Sequence, residues 1–184
     1  MAARLNAPVI LHIPHASARV PEREARRLSI GGERLHEELL RMTDWYTDEL
    51  FEHSVPGAVV VRFPVSRLVV DPERFPDDGA EPMARVGMGA VYTRCAGGTE
   101  LRRPPSPAER QRLLDAYYVP HHRALTEAVA RMLSSHERCL VLDCHSFPSA
   151  PLPYEPDQSP DRPDICLGSD AFHTPEGLMR AARE

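Results

Sequence analysis

The chain has 184 residues, 42% of them hydrophobic, which is enough to bury the core of one domain. Its formal net charge of -5 and its pI near 6.0 argue against the basic surface that nucleic-acid-binding proteins carry. All 22 basic residues are arginines, which excludes any chemistry that depends on a lysine amine.

The first third of the chain predicts one strand followed by helices. Residues 8–13 (PVILHI) are short, β-branched and almost continuously apolar, as expected of a buried strand. A short helix is predicted over 22–28, and Gly31 with Gly32 separates it from apolar residues at helical spacing over 33–54. The latter pattern predicts one bent helix or two consecutive helices.

Two further strands and a long loop are predicted in the middle of the chain. The strands cover 57–63 (GAVVVRF) and 66–71 (SRLVVD). Residues 72–105 are rich in Pro, Gly, Asp and Arg, and a loop of this length usually serves a function. The next helix is expected to begin at Ser106, which forms a capping box with Glu109.

This helix is predicted to run to about residue 135, with a kink just before Pro120. A buried strand follows over 139–146 (CLVLDCHS), then a proline-rich loop, a strand over 165–169 (ICLGS) and a final helix near residue 175. The alternation of strands and helices predicts an α/β sandwich with a mostly parallel or mixed sheet. Ligands of such sheets collect beyond the carboxyl ends of the strands.

Neither membrane insertion nor disulfide bonding is predicted. No run approaches the roughly 18–20 apolar residues that cross a bilayer, and the N-terminus lacks the pattern of a secretory signal. The four cysteines form no CxxC pair, and most of them lie in apolar runs where a buried thiol is expected. These features predict a soluble, cytoplasmic protein with reduced thiols.

The sharpest chemical motif is LDCHS, at the end of the strand over 139–146. Asp143 and His145 point to one face of a strand and Cys144 points to the other. A histidine at a strand end is a common zinc ligand, and Asp143 could orient an imidazole from behind. A hydrogen-bonded histidine that closes the strand explains the motif equally well.

A second pair of histidines ends the first strand, in HIPHAS. His12 and His15 are three residues apart, so on a straight strand they face opposite ways and cannot both bind one ion. His12 lies within the apolar run and is predicted to pack in the core. His15 follows Pro14, beyond the expected turn, and is the candidate ligand.

The segment TDWYTDELF supplies a candidate acidic ligand. Asp44 and Asp48 are four residues apart, which would place both on one face of a helix. Hydrolytic zinc sites hold three protein ligands, often including an acid, and leave one position for water. Asp44 is the candidate for that acid, and the alternative is that it caps a helix.

Arginines and further histidines complete the set of candidates. Guanidinium groups bind carboxylates in a bidentate manner, so Arg67 and Arg74 suit an acidic small-molecule substrate. A structural ion pair such as Asp71 with Arg74 is equally compatible. His121 and His122 are adjacent on a predicted helix, where neighbours diverge by about 100°, so at most one should face a site.

Taken together, these segments resemble the N-formylglutamate amidohydrolase family. The matching pieces, in chain order, are IPHAS followed by a proline, TDWYTDELF, SRLVVDPERF, GMGAVYTR, YYVPHHRAL and LVLDCHSF. They cover nearly the whole chain in the family's order and approximate spacing. The resemblance implies a single α/β domain over 1–184, built as a three-layer sandwich with a mixed, mostly parallel sheet like that of zinc carboxypeptidases and aspartoacylase-like enzymes.

The resemblance also implies a reaction and a cofactor. The reaction is hydrolysis of the amide of an N-formyl or N-acyl amino acid such as N-formylglutamate, by attack of a metal-bound water. The cofactor is zinc or another divalent metal; the family's metal histidine corresponds to His145, and His15 and Asp44 are the other candidate ligands that the sequence offers. The expected partner is a small acidic N-acyl amino acid, and neither a nucleic acid nor a membrane is expected to bind. The reaction would belong to amino acid metabolism, such as histidine degradation.

Roles for the remaining candidates follow from the same resemblance. Arg67, Arg74 and Ser146 are expected to bind the substrate, and His122 to stabilise charge or to orient the substrate. The family's segment D-L-N-R reads Asp71-Pro72-Glu73-Arg74 here, so an asparagine contact with the substrate does not carry over.

Members of the family continue beyond a helix like the last one here, into a portion that carries a glutamate thought to act as general base. The chain ends at Glu184, so this portion is expected to be missing, and Glu73 is the substitute base that the sequence offers. Two other interpretations stay open: a non-catalytic metal- or ligand-binding remnant of the same fold, and a plain α/β domain whose histidines are structural.

Overall fold

A computed structural model describes residues 8–184 of the chain, in which strands and helices alternate. The elements are, in chain order, β1 (Val9–Ile13), α1 (Glu22–Ala25), α2 (Gly32–Met42), α3 (Thr47–Phe51), β2 (Val59–Arg62), a 3₁₀ helix (Pro82–Val86), α4 (Pro107–Leu113), a π-helical turn (Leu114–Tyr118), α5 (Val119–His136), β3 (Leu140–Asp143) and α6 (Glu176–Arg183).

The three strands form one parallel sheet in the order β2–β1–β3. Each of them lies within a run that the sequence predicts as a strand, because these runs are short, apolar and β-branched. In the register of the sheet, His12 of β1 lies opposite Val61 of β2 and Asp143 of β3. A mostly parallel or mixed sheet was predicted, and both pairings among the three described strands are parallel.

Helical residues cover both faces of β1. Successive side chains of a strand point to opposite faces, so Ile10 and Leu11 enter different clusters. Ile10 packs with Val61 and with Ala128 of α5. Leu11 packs on the opposite face, where Phe51 of α3 lies against the same cluster.

Residues 66–71, predicted as a strand, form a buried turn instead. The hydroxyl of Ser66 accepts a hydrogen bond from the Leu68 N–H (3.2 Å), and its carbonyl accepts one from the Val69 N–H (2.9 Å). A serine that bonds its own downstream backbone competes with strand pairing. The turn delivers Asp71 to the carboxyl edge of the sheet.

Residues 165–169 were also predicted as a strand and belong to no strand of the described chain. Their apolar residues are exposed, with Ile165 79% and Leu167 47% accessible. A short apolar run becomes a strand only where a neighbouring strand can pair with it.

The helical stretch over 33–54 consists of two helices, α2 and α3. Between them Thr43 is extended and Tyr46 adopts the left-handed conformation, with φ at 64°. The N–H of Asp44, in this break, donates to the carbonyl of His15 (3.0 Å) and so docks against the end of β1. The expectation that Asp44 and Asp48 share a helix face is wrong, because Asp44 precedes α3.

The helix predicted from Ser106 is confirmed, and the predicted kink takes the form of the π-helical turn. The hydroxyl of Ser106 accepts the N–H of Glu109 (3.3 Å) as a helix cap. Pro120, in the first turn of α5, supplies no N–H to the helix that it enters. None of the helices in residues 8–184 is both long and apolar enough to cross a membrane.

The four cysteines are unpaired and differ in exposure. Cys95 and Cys144 are buried, Cys139 is intermediate and Cys166 is exposed. The N–H of Cys144 donates to the carbonyl of His12 (2.9 Å), just beyond β3. The burial of Cys144 therefore depends on the pairing of β3 with β1.

Candidate metal centre

Four segments bring polar side chains to the carboxyl edge of the sheet. His15 follows β1, Asp44 lies between α2 and α3, the turn at residues 71–74 follows β2, and His145 follows β3. The ring centroids of His15 and His145 lie 5.3 Å apart. The three residues predicted as metal ligands thus belong to one cluster.

His15 is held from behind by Asp71 and keeps one ring nitrogen unengaged. Its Nε2 lies 2.9 Å from Oδ1 of Asp71 and donates its hydrogen to that carboxylate. The other nitrogen, Nδ1, is buried and has no hydrogen-bond partner among residues 8–184. It lies 3.3 Å from Oε2 of Glu73 and 3.9 Å from Oδ2 of Asp44. Metal-ligating histidines are oriented in the same manner, by a carboxylate on the far nitrogen.

His145 repeats this arrangement from the other side. Its Nδ1 lies 2.9 Å from Oδ2 of Asp44, while Nε2 lies 3.3 Å from Oε1 of Glu73 and 3.6 Å from Oδ1 of Asp143. Partial burial disfavours the imidazolium, but the carboxylates of Asp143, Asp44 and Glu73 outweigh it and raise the pKa of His145 to about 12. A metal ion that binds this ring has to displace its proton.

One donor atom each of His15, Glu73 and His145 lies within 4.8 Å of the other two. Two imidazoles and a carboxylate are a donor set that zinc and other divalent metals accept. Glu73, predicted as a base, supplies the carboxylate of this set. Asp44, predicted as a ligand, accepts the hydrogen bond from Nδ1 of His145 and so lies behind that ring.

A second set of donor atoms, from His12, Glu73 and Asp143, is equally compact. Both ring nitrogens of His12 are engaged, however, since Nδ1 lies 2.7 Å from Oδ1 of Asp143 and Nε2 lies 2.8 Å from Nε2 of His121. The second nitrogen of His12 is bonded to another imidazole, whereas Nδ1 of His15 and Nε2 of His145 both face the carboxylate of Glu73. The set with His15 and His145 is therefore the candidate centre.

Asp71 is fully buried and organises the back of the site. Besides His15 it accepts hydrogen bonds from Arg67 (Nε at 3.2 Å, Nη2 at 3.0 Å), from the Tyr92 hydroxyl (2.5 Å) and from the Glu73 N–H (3.0 Å). Burial opposes its charge, but Arg67 and His15, with the hydrogen bond from Tyr92, hold the pKa of this carboxyl well below its usual range. One buried anion thus fixes both the His15 ring and the backbone of Glu73.

The two predicted substrate arginines differ in their availability. Arg67 donates twice to Asp71, its Nη1 lies 3.6 Å from Asp44, and its side chain is almost buried. The Nε of Arg74 lies 3.7 Å from Asp71 and has no hydrogen-bond partner in the described chain, while a quarter of its side chain is exposed. Arg74 is therefore the better placed of the two to meet a substrate carboxylate.

His122 and Ser146 are bonded to backbone carbonyls beside the cluster. Nε2 of His122 lies 2.8 Å from the carbonyl oxygen of Pro72, and the hydroxyl of Ser146 donates to the carbonyl of Trp45 (2.8 Å). Both contacts brace segments that carry site residues. Their expected roles toward the substrate stay predictions.

A hydrogen-bonded row of Asp143, His12 and His121 lies beside the candidate ligands and was not predicted. His12 was expected to pack as a core residue; it is only 6% exposed, but both of its nitrogens are bonded to polar groups. Sheet register is the signal that could have found it, because parallel pairing puts His12 directly opposite Asp143. His121 reaches the row because α5 covers this face of the sheet.

Comparison with known proteins identifies relatives over nearly the whole chain. The family model described as N-formylglutamate amidohydrolase matches residues 7–184. An N-formylglutamate deformylase of Pseudomonas aeruginosa is 29% identical over 184 residues, covering 96% of this chain and 65% of that protein.

Two solved structures share the fold. The crystal structure of N-formylglutamate amidohydrolase from Ralstonia eutropha JMP134 has a TM-score of 0.68 at 24% identity, over 78% of this chain and 55% of that one. A gene product of Agrobacterium tumefaciens has a TM-score of 0.55 at 22% identity, over 77% of this chain and 53% of that one. The chain therefore spans just over half to about two thirds of the length of these relatives.

The family model accounts for every segment on which the resemblance in the sequence rests, from IPHAS to LVLDCHSF. This match confirms that resemblance: the chain belongs to the N-formylglutamate amidohydrolase family.

Proposed function

We propose that the chain hydrolyses the amide of an N-formyl or N-acyl amino acid, using a divalent metal such as zinc. The observation that carries the proposal is the buried Nδ1 of His15, which has no partner within residues 8–184 and faces Glu73. Buried polar atoms are almost always bonded, so an orphaned nitrogen among imidazoles and carboxylates favours a metal ligand. The names of the relatives make N-formylglutamate the first substrate to test.

His15, Glu73 and His145 would hold the metal, with Asp71 and Asp44 orienting the two rings from behind. In this set Glu73 takes the place of Asp44, the acidic ligand predicted from the sequence. A divalent cation supplies a Lewis acid that polarises the formyl carbonyl and lowers the pKa of water.

Asp143 is the carboxylate that remains to move a proton. Its Oδ1 lies 3.6 Å from Nε2 of His145, and half of its side chain is exposed. Hydrolysis requires that the attacking water lose a proton and that the departing nitrogen gain one. Asp143 would accept the first proton and return it to the amine, leaving formate and a free amino acid.

Arg74 would bind a carboxylate of the substrate. Its side chain is one quarter exposed and its buried Nε has no hydrogen-bond partner within residues 8–184, which suits binding of a carboxylate. Arg67 is engaged by Asp71 and would act mainly by holding that anion in place. His122, bonded to the carbonyl of Pro72, would keep the segment that carries Glu73 and Arg74 in position.

We also infer that the domain is a three-layer sandwich. In support, α5 packs on the face of the sheet that carries Ile10, and Phe51 of α3 packs on the face that carries Leu11. The site then lies at the edge between the two helical layers, where α/β sheets bind ligands.

The proposal is tested by metal content and by formate release. The purified chain, loaded with zinc, should contain about one zinc and release formate from N-formylglutamate. His15→Ala, His145→Ala and Glu73→Gln should each lower zinc affinity by roughly a hundredfold or more, because even outer partners of metal ligands contribute 10–100-fold.

His53→Ala is the matched control, since His53 is exposed, belongs to no candidate ligand set and should leave zinc content and formate release unchanged. Formate release that persists at the same rate in chelated protein would overturn the metal requirement. Zinc binding without release of formate or of the corresponding acid from any N-acyl amino acid would favour the non-catalytic, metal-binding alternative.

A further inference from the structure

Two buried histidines form a chain of hydrogen bonds that ends at Asp143. Nδ1 of His12 lies 2.7 Å from Oδ1 of Asp143, and Nε2 of His12 lies 2.8 Å from Nε2 of His121. Both histidines are about 95% buried. His12 comes from the central strand and His121 from α5, so the hydrogen bonds run from α5 along the face of the sheet that carries Ile10 to Asp143.

The chemistry of the acceptor fixes where the hydrogens lie. An ionised carboxylate only accepts, so Nδ1 of His12 must carry a hydrogen. Burial, together with the neighbouring His12 and His122, lowers the pKa of His121 to about 4, so its ring is neutral at neutral pH. A neutral His121 that donates from Nε2 leaves Nε2 of His12 as the acceptor, so each of the two hydrogen bonds has one donor and one acceptor.

We infer that His121 and His12 are positioning residues: the Nε2–H of His121 holds His12 as its Nδ1–H tautomer, and His12 thereby fixes the Asp143 carboxylate beside the candidate metal ligands. The inference rests on the proposed function for its consequence, since Asp143 is there the group that moves a proton. Without His121, Asp143 alone favours the Nδ1–H form of His12, and a share of the rings takes the Nε2–H form, which no longer donates to Asp143.

The surroundings of His121 favour a positional role. Its ring lies edge-on to Phe63, with centroids 5.0 Å apart, and tilted against His12, also at 5.0 Å. Packing against two rings restricts the orientations open to the imidazole of His121. The same ring therefore sets the direction of its Nε2–H bond with little freedom.

The test begins with the metal-free wild-type chain, in which the ring ¹⁵N shifts of His12 report its tautomer directly. The Nδ1–H form is expected. In His121→Leu, which removes the donor, these shifts should move toward the Nε2–H form, and the rate of formate release by the zinc-loaded chain should fall by about tenfold, because Asp143, the proposed base, is no longer held in one position. His121→Gln can present an amide N–H in place of Nε2–H and should restore both readouts.

The matched control is His136→Leu, which removes an exposed histidine from the last turn of the same helix and should change neither readout. An Nε2–H or doubly protonated His12 in the wild-type chain would overturn the inference, and so would a folded His121→Leu protein with unchanged His12 shifts and an unchanged rate of formate release. If wild-type protein binds no zinc, the proposed function fails, while the tautomer measured in metal-free protein still decides the inference.

Discussion

Asp71 shows how much of the site depends on a single buried charge. It accepts hydrogen bonds from His15, Arg67, Tyr92 and the backbone of Glu73, and none of its surface is accessible. Such a group is expensive to bury alone, and here it is balanced by the guanidinium of Arg67. Its loss should therefore be felt in stability as well as in metal binding.

Asp71→Asn should lower the free energy of unfolding by about 3–5 kcal/mol, because Arg67 then stays buried without its main counter-ion. Urea denaturation followed by circular dichroism measures this change. Asp48→Asn is the matched control, since Asp48 pairs with Arg62 at the surface (3.3 Å) and its removal should cost at most about 1 kcal/mol. Equal stability of the two variants would contradict the role assigned to Asp71.

His145 makes metal binding depend on pH in a defined direction. Despite its partial burial, Asp143, Asp44 and Glu73 raise its pKa to about 12, so the ring is protonated at pH 7 in the metal-free chain. Zinc binds the neutral imidazole and must release that proton. Zinc affinity should therefore rise by about tenfold per pH unit between pH 6 and 8, and calorimetry in two buffers of different ionisation enthalpy should show about one proton released. A zinc affinity that does not change with pH, together with no proton release, would contradict this role of His145.

At the scale of elements, the strands were predictable from the sequence because local pattern decides them. The runs at 8–13, 57–63 and 139–146 are apolar and β-branched, and each contains one strand of the sheet. The run at 66–71 has a similar composition, but the strand predicted there is wrong, because the hydroxyl of Ser66 bonds the backbone of a turn. The strand predicted over 165–169 is also wrong, because no strand of the described chain pairs with these residues.

The site was predictable only as far as it depends on strand ends. His15 and His145 were found because each follows a strand, and carboxyl ends of parallel strands meet. The place of Asp44 depends on a helix break at Tyr46, which is left-handed without the glycine that usually marks such a position. The bond of His12 to Asp143 depends on register between strands far apart in sequence, which no local pattern encodes.

The cap of α4 gives a prediction about how this helix is held. Ser106→Ala removes the hydroxyl that accepts the Glu109 N–H and should lower the free energy of unfolding by about 1 kcal/mol. Ser134→Ala, within α5, is the control: its exposed hydroxyl bonds the carbonyl of Ala130 inside the helix, and its loss should change stability by at most about 0.5 kcal/mol. Chemical denaturation of both variants measures the difference. If Ser106→Ala loses no more stability than Ser134→Ala, the capping role of Ser106 is contradicted.

For the molecule as a whole, a bound metal would join segments that are distant in sequence. His15, Glu73 and His145 follow three different stretches of the fold, so a common ion would favour the folded chain over the unfolded one. Zinc at a hundred times its dissociation constant should stabilise the chain by about 2.7 kcal/mol. For a chain of this size the melting temperature should then rise by about 5–10 °C.

Differential scanning calorimetry with and without zinc measures this shift. The His145→Ala chain, given the same zinc concentration, should show little or none of it, because one of the three donors is gone. An equal shift in both proteins would mean that zinc stabilises the chain from another place.

Because the cysteines differ in exposure, their rates of modification report on the local opening of different parts of the fold. A thiol reagent should modify Cys166 at once, whereas Cys144 can react only after its strand end leaves the carbonyl of His12. Cys95 lies in a different cluster, with Tyr92 and Leu101, and reports on that region alone. The modification rate of Cys144 therefore measures how fast β3 separates from β1. The same motion would separate Asp143 from His12, and the native chain already carries the thiol that reports on it.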